Sequence, residues 1–184
     1  MMSRKSSSQQ VRFVVLSAVI AALYAVLTYV TAAMNLAYGP VQFRLSEALT
    51  ILPVFTPAAV PGLALGCFLS NLSSPFGVID WVFGTSASLL AALGTLALSN
   101  LRYKGVALLA PLPPVVVNAL LVGLELSFFS SAGAFSFSNF TPEAFAAGAL
   151  SVGAGQLAVC YGLGLPLMIV IQKLGIFDRL SLKA

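Results

Sequence analysis

The sequence predicts an all-α polytopic membrane protein: six transmembrane helices in one integral domain covering residues 1–184. Three observations lead there. Only 8 % of the residues are charged and 59 % are hydrophobic, against about 25 % charged in an average soluble domain. A soluble fold of this length has too little interior to hide that much apolar surface. Apolar runs also recur at the length of a membrane span, roughly 20 residues for about 30 Å of hydrocarbon. Finally, the cations gather in alternate gaps between those runs, as the positive-inside rule requires.

The first span is expected at about 13–33. Its basic start (Arg4, Lys5, Arg12) resembles a signal peptide, but the apolar run outlasts the usual 7–15-residue core of one, so a retained helix is expected. Residues 46–72 are apolar yet interrupted by Pro53, Pro57 and Pro61. Proline removes a backbone donor and disfavours helix in the residue before it. Two short helices, about 46–56 and 61–72, therefore fit better than one kinked span. A fourth helix is expected at about 79–100 and a fifth at 105–128, bent at Pro111, Pro113 and Pro114. The sixth, about 142–174, follows Thr141-Pro142, an N-cap residue with proline at the first helical position.

Six spans put both termini on one side. Placing them in the cytoplasm assigns Arg4, Lys5, Arg12, Arg102, Lys104, Lys173, Arg179 and Lys183 inside and leaves only Arg44 outside. Four of the five acids, Glu47, Asp80, Glu125 and Glu143, then fall near outer helix ends, with Asp178 inside. Ionisable groups near lipid are costly and usually face a protein interior or a wet cavity. Solvated loop positions are the competing reading for the same acids.

Several functions drop out. There is no His, which excludes Ser-His-Asp and Cys-His hydrolases, H-E-x-x-H proteases and His-ligated zinc, and no metal site is expected. No G-x-x-x-x-G-K-[ST] loop occurs, so the chain itself is not expected to hold ATP phosphates. The net charge of +4 is scattered between apolar runs and forms no basic face, so no nucleic-acid partner is expected. Cys67 and Cys160 lie in apolar stretches and read as two buried thiols. No enzyme and no cofactor are expected: an intramembrane aspartic dyad needs paired carboxylates sharing a proton, and no motif pairs them.

Three segments are candidates for holding a ligand. In Gln42-Phe43-Arg44-Leu45-Ser46-Glu47, Arg44 and Glu47 are three apart, so on a helix they share a face and can pair; Phe43 offers a ring. Asn71 to Trp81 joins two helices: Asp80 is either a helix-start acid or, with Asn71 and the sole Trp81, part of one pocket. The stretch from Phe128 to Phe140 holds five of thirteen phenylalanines and reads either as membrane-interface anchoring or as a lid over a planar ligand. Within the helices, Asn118 and Gln156 are uncharged polar residues for which interhelical hydrogen bonding is the default. Ala18 and Ala22 are four apart, as are Ala21 and Ala25, a spacing that admits another helix at close range.

These features, together with the segments QFRLSEALTILPVF, GLALGCFLSNL and IDWVFGTSASLLAAL, resemble the substrate-binding S components of energy-coupling factor (ECF) transporters, and among them the QueT family. The resemblance covers nearly the whole chain and is most specific around Glu47. It implies an S-component-like bundle in the cell membrane that binds a queuosine precursor, a 7-deazaguanine such as 7-aminomethyl-7-deazaguanine, or queuine or queuosine. It implies partners too: a transmembrane T component, met through Ala18 and Ala22, and two ATPase subunits that use the ATP. The substrate-binding residues expected under this resemblance are Glu47, Asp80, Asn71, Trp81, Arg44, Phe43, Gln156 and Glu125. An S component for another vitamin, or an accessory membrane protein without a ligand, is the alternative.

Overall fold

The computed structural model describes residues 7–37, 42–130 and 133–179, and within them the chain is a helical bundle without a β-strand. Arg4, Lys5 and Lys183 lie outside the described residues. Helix α1 runs Ser7–Ala33, α2 Ala59–Asn71, α3 Val78–Leu98, α4 Leu112–Ser127 and α5 Pro142–Leu174. A 3-10 helix, Leu45–Val54, stands between α1 and α2, and a one-turn helix, Ile176–Arg179, follows α5. At 27, 21 and 33 residues, α1, α3 and α5 are long and apolar enough to cross a membrane. The 13 residues of α2 and the 16 of α4 reach only about 20–24 Å at 1.5 Å per residue.

Antiparallel connections give the bundle two chemically distinct ends. One carries Arg12, Arg102, Lys104 and Lys173; the other carries Glu47, Asp80, Glu125, Glu143 and the single cation Arg44. They are called the basic and acidic ends below.

Proline sets most of the boundaries. Helix α4 begins at Leu112, not near Gly105 as the apolar run suggests. Pro111 stands at its N-cap, and Pro113 and Pro114 fill the first turn, where no backbone N–H is needed. They start the helix; they do not bend it. Ahead of them Tyr103 and Val106 exchange backbone hydrogen bonds of 2.9 and 3.1 Å across a tight turn. Lys104 (φ 50°) and Gly105 (φ 83°) supply the left-handed conformations that turn demands. At α5 the expected cap forms: Thr141 accepts from the Ala144 N–H at 3.1 Å, with Pro142 behind it.

The segment expected as an ordinary helix over 46–56 is a 3-10 helix over Leu45–Val54. Such runs rarely exceed 3–4 residues, so this one has a cause. Nearly all of it is buried, with α1, α2, α3 and α5 packed around it. At about 2.0 Å per residue, a 3-10 helix reaches some 5 Å further over ten residues than an α-helix does. Pro53 lies inside it, and the Thr50 hydroxyl donates to the Glu47 carbonyl at 2.6 Å, taking up an acceptor that an α-helix would use. Facing it, α5 carries a π-helical turn at Cys160–Gly164, just before Pro166. The extra residue in that turn accommodates the missing proline donor within an otherwise continuous helix.

Lipid provides no hydrophobic force to hold helices together, so close approach of small residues must. Gly62 and Gly66 of α2 lie against α1: a Cβ on Gly66 would sit 2.7 Å from Tyr24 Cβ and 2.8 Å from the Ala21 carbonyl. Between α4 and α5, a Cβ on Gly123 would meet Ala149 Cα at 2.7 Å. The Ser17 hydroxyl donates to the Ala58 carbonyl at 2.9 Å, tying α1 to the foot of α2. The two alanine pairs of α1 have separate fates. Ala21 and Ala25 are buried in this packing, whereas Ala18 and Ala22 look outward with Val15 and Val19.

Replacing Gly66 by Val therefore forces α1 and α2 apart and is expected to cost about 1–3 kcal/mol. A thermal-melting comparison of purified proteins should show a clear loss for Gly66→Val. Gly162→Ala, where a Cβ meets nothing within 4 Å, should melt like the parent or higher.

Candidate functional site

The acidic end of the bundle buries a polar cluster assembled around the 3-10 helix. Glu47, in its first turn, is 3 % exposed. Tyr24 of α1 donates its hydroxyl to Glu47 Oε1, and Asn118 of α4 donates its amide to Oε2 at 3.5 Å. Gln156 of α5 faces the same carboxylate and accepts from Cys160 Sγ at 3.4 Å. One helix turn along α1, Thr28 donates to Ser46 at 2.8 Å. Four elements thus converge on one carboxylate.

A second group forms on the loop before the 3-10 helix and on α2 and α3. Arg44 Nε donates to the Ala37 carbonyl at 3.3 Å and Nη1 to Asn71 Oδ1 at 3.3 Å, while Nη2 lies 3.7 Å from Asp80 Oδ2. Asn71 Nδ2 in turn donates to Asp80 Oδ1 at 3.2 Å and to the Asp80 carbonyl at 3.1 Å. This corrects the pairing expected from sequence spacing. Arg44 is the N-cap, in extended conformation (φ −112°, ψ 113°), so the three-residue helical register with Glu47 does not apply, and its guanidinium meets Asp80 and Asn71. Nor does Asp80 cap its helix: Gly77 is the N-cap, and Asp80, 1 % exposed, turns inward.

Glu125 completes the set. It is fully buried in the last turn of α4, interacts electrostatically with Asp80 and Arg44, and neither of its carboxylate oxygens has a hydrogen-bond partner among the described residues. Above it the phenylalanines pack on one another edge to face: Phe128 on Phe135 and Phe137, Phe129 on Phe135. Phe76, from the α2–α3 loop, joins them through Phe129 with ring centroids 5.0 Å apart. The stretch is an aromatic cluster at the acidic end.

The remaining candidates stand apart from these polar contacts. Trp81 packs edge-on against Phe68 at 6.2 Å, on the seam between α2 and α3. Phe43 is half-buried in the loop before the 3-10 helix, its N–H donating to the Leu36 carbonyl at 2.9 Å. Glu143 is exposed in the first turn of α5, where a carboxylate complements the helix dipole. Cys67 and Cys160 are free and buried. Tyr24 and Thr28 were missed at the sequence level, and so was the role of Asn118 as a donor to Glu47. A signal for the first two existed: Tyr24, Thr28 and Thr31 recur at helical spacing in an apolar helix, and all three are buried.

A cavity of about 470 Å³ opens elsewhere, at the basic end, lined in part by Phe55, Asn100, Arg102, Gln172 and Phe177. Its lining holds no carboxylate and shares no residue with the polar cluster. The chemistry is therefore concentrated at the acidic end, where three carboxylates, one guanidinium and three amides are buried among the 3-10 helix and α1 to α5. Such a setting suits recognition of a planar, donor-rich small molecule by hydrogen bonds whose strength is not diluted by solvent.

Comparison with known proteins gives this cluster a family. The QueT transporter model matches residues 14–173, which include every residue of the two polar groups. The queuosine precursor transporter QueT of Lactococcus lactis subsp. cremoris (strain MG1363) is 34 % identical over 89 residues, covering 48 % of this chain and 53 % of that protein. The chain thus spans about half the length of the curated relative it matches. No solved structure matches. On the extent of the family match, from the first helix to the end of the last long one, the chain belongs to the QueT transporter family.

Proposed function

We propose that the chain is the substrate-binding S component of an ECF-type importer and takes up a queuosine precursor, a 7-deazaguanine. The observation that carries this reading is the buried cluster in which Tyr24, Asn118 and Gln156 meet Glu47, itself within the segment 42–55 that resembles the family most specifically. A carboxylate held by Tyr24 and Asn118 keeps lone pairs for the ring N–H and exocyclic amine of a guanine-like edge. Charge-assisted bonds of this kind contribute about 1.5–3 kcal/mol each. Gln156 supplies an amide beside it, Arg44 and Asp80 fix the opposite wall, and the phenylalanine cap covers a flat ring.

In this reading the basic end faces the cytoplasm, both termini lie inside, and the ligand enters from outside at the acidic end. Energy comes from partner subunits: a T component and two ATPases. Ala18 and Ala22, outward-facing on α1, are the docking surface for the T component, and the chain topples in the plasma membrane to release its ligand.

Three outcomes test it. Titration calorimetry with 7-aminomethyl-7-deazaguanine should show saturable binding that weakens about 10–100-fold in Glu47→Gln and in Asp80→Asn, with both variants still folded; unchanged affinity in both removes the site. Ala22→Leu should keep ligand affinity but lose co-purification with the T component. If both properties survive, α1 docks through another face. Because Cys67 and Cys160 are buried, single cysteines report sidedness cleanly. Lys104→Cys should react with a membrane-impermeant maleimide only from the cytoplasm, and Ser138→Cys only from outside; the reverse pattern inverts the topology.

A further inference from the structure

Resting on the reading above, the geometry points to Glu125 as the seat of a positive charge on the ligand, and so to a ligand whose planar base carries a protonated amine. The argument begins with a charge count at the acidic end. Among the described residues, the buried cluster holds three carboxylates, Glu47, Asp80 and Glu125, and one cation, Arg44. Two of those acids are already compensated. Glu47 is held by the Tyr24 hydroxyl and the Asn118 amide. Asp80 has the Asn71 amide on Oδ1 and the Arg44 guanidinium 3.7 Å from Oδ2. Among the described residues, Glu125 accepts no hydrogen bond on either oxygen, although it is fully buried.

Its position deepens the deficit. Glu125 lies in the last turn of α4, at the negative end of the helix dipole, which repels a carboxylate and attracts a cation. A residue kept for packing alone would be apolar here, since an uncompensated buried charge is strongly destabilising. The same two features that make the carboxylate unfavourable by itself, no donor and the negative end of a helix, make it a strong site for an ammonium group bringing three N–H donors and one positive charge.

Direction follows from the neighbours. Glu125 interacts with Asp80, Glu47 is surrounded by Tyr24, Asn118 and Gln156, and Arg44 acts electrostatically on both carboxylates. The site thus has two poles. The neutral, donor-rich edge of the base belongs at Glu47 on the central 3-10 helix, and the charged substituent at Glu125, directly before the Phe128–Phe140 cap. Specificity for the substituent is then set by one residue, separately from specificity for the base.

The test uses the full-length purified chain and three probes of one ring system: 7-aminomethyl-7-deazaguanine (cationic), 7-cyano-7-deazaguanine (neutral) and 7-deazaguanine (unsubstituted). The parent protein should bind the amine at least about 30-fold more tightly than the nitrile. Glu125→Gln, nearly isosteric, should lose most of that preference while holding the nitrile and the unsubstituted base within about threefold. Glu125→Asp, which keeps the charge, should retain a preference for the amine. The ligand-free melting temperature of Glu125→Gln should equal or exceed the parent's, a readout that does not depend on binding and that shows the variant is folded. Equal affinity of the parent for amine and nitrile overturns the assignment, as does an intact preference in Glu125→Gln. If the parent binds none of the three probes, the deazaguanine reading itself fails and the assignment fails with it, a pattern distinct from loss of discrimination alone.

Discussion

An ionised side chain inside a membrane-spanning bundle is costly unless other groups compensate it, and this constraint organises the acidic end of the molecule. Glu47 stands on the central 3-10 helix, and its oxygens take up a phenol from α1 and an amide from α4. Arg44, a few residues earlier, ties the incoming loop to Asn71 at the end of α2 and Asp80 at the start of α3. Removing one member of such a buried pair costs about 3–5 kcal/mol, far more than an exposed pair is worth. The polar contacts therefore fix which helices meet at the acidic end and in what register. The apolar surroundings, which lipid matches on the outside, cannot do that by themselves.

That requirement also accounts for the irregular backbone. A segment surrounded on all sides, bringing Arg44 and Glu47 to one end and Pro53 and Phe55 to the other, gains reach from 3-10 geometry. The π turn in α5 lies opposite it, where Cys160 Sγ approaches the Glu47 carbonyl at 3.7 Å and Gly164 leaves room for Ala48. Non-standard helix at membrane depth is tolerated when it is buried in protein, as the 3-10 stretch is; the π turn, exposed at Gly162 and Leu163, stays within a continuous helix. Around this centre the glycine contacts of α1 with α2 and of α4 with α5 hold the wall closely packed, leaving the outward alanines of α1 free of internal duty.

Much of this was legible before any coordinates. Composition and span length gave the helical membrane class, and Thr141-Pro142 gave the start of the last helix, because these signals are local. The pairing of Asn71 with Asp80 was within reach, since both sit at the ends of one short loop. Four things were not. The register of Arg44 depended on whether it lay inside the helix or before it, a question of one residue that spacing does not answer. The 3-10 stretch arises from burial on every side, which a propensity reading takes no account of, and the π turn, only part-buried, has no local signal beyond Pro166. The helix expected from Gly105 failed because Pro111, Pro113 and Pro114 were read as a bend within a helix and not as its beginning, though proline favours the first turn. The isolation of Glu125 also had to wait for structure: a sequence shows which acids exist, but only packing shows which of them has no partner.

Under the function proposed above, the chain recognises its cargo at the acidic end, between Glu47 and Glu125. The most direct measurement is an experimental structure of the purified protein with 7-aminomethyl-7-deazaguanine bound. The account predicts the ring lying among Glu47, Asn118 and Gln156, its substituent beside Glu125, and the phenylalanines of residues 128–140 closed over it. Ligand density in the basic-end cavity between Phe55 and Gln172, with the acidic cluster unchanged, would contradict it.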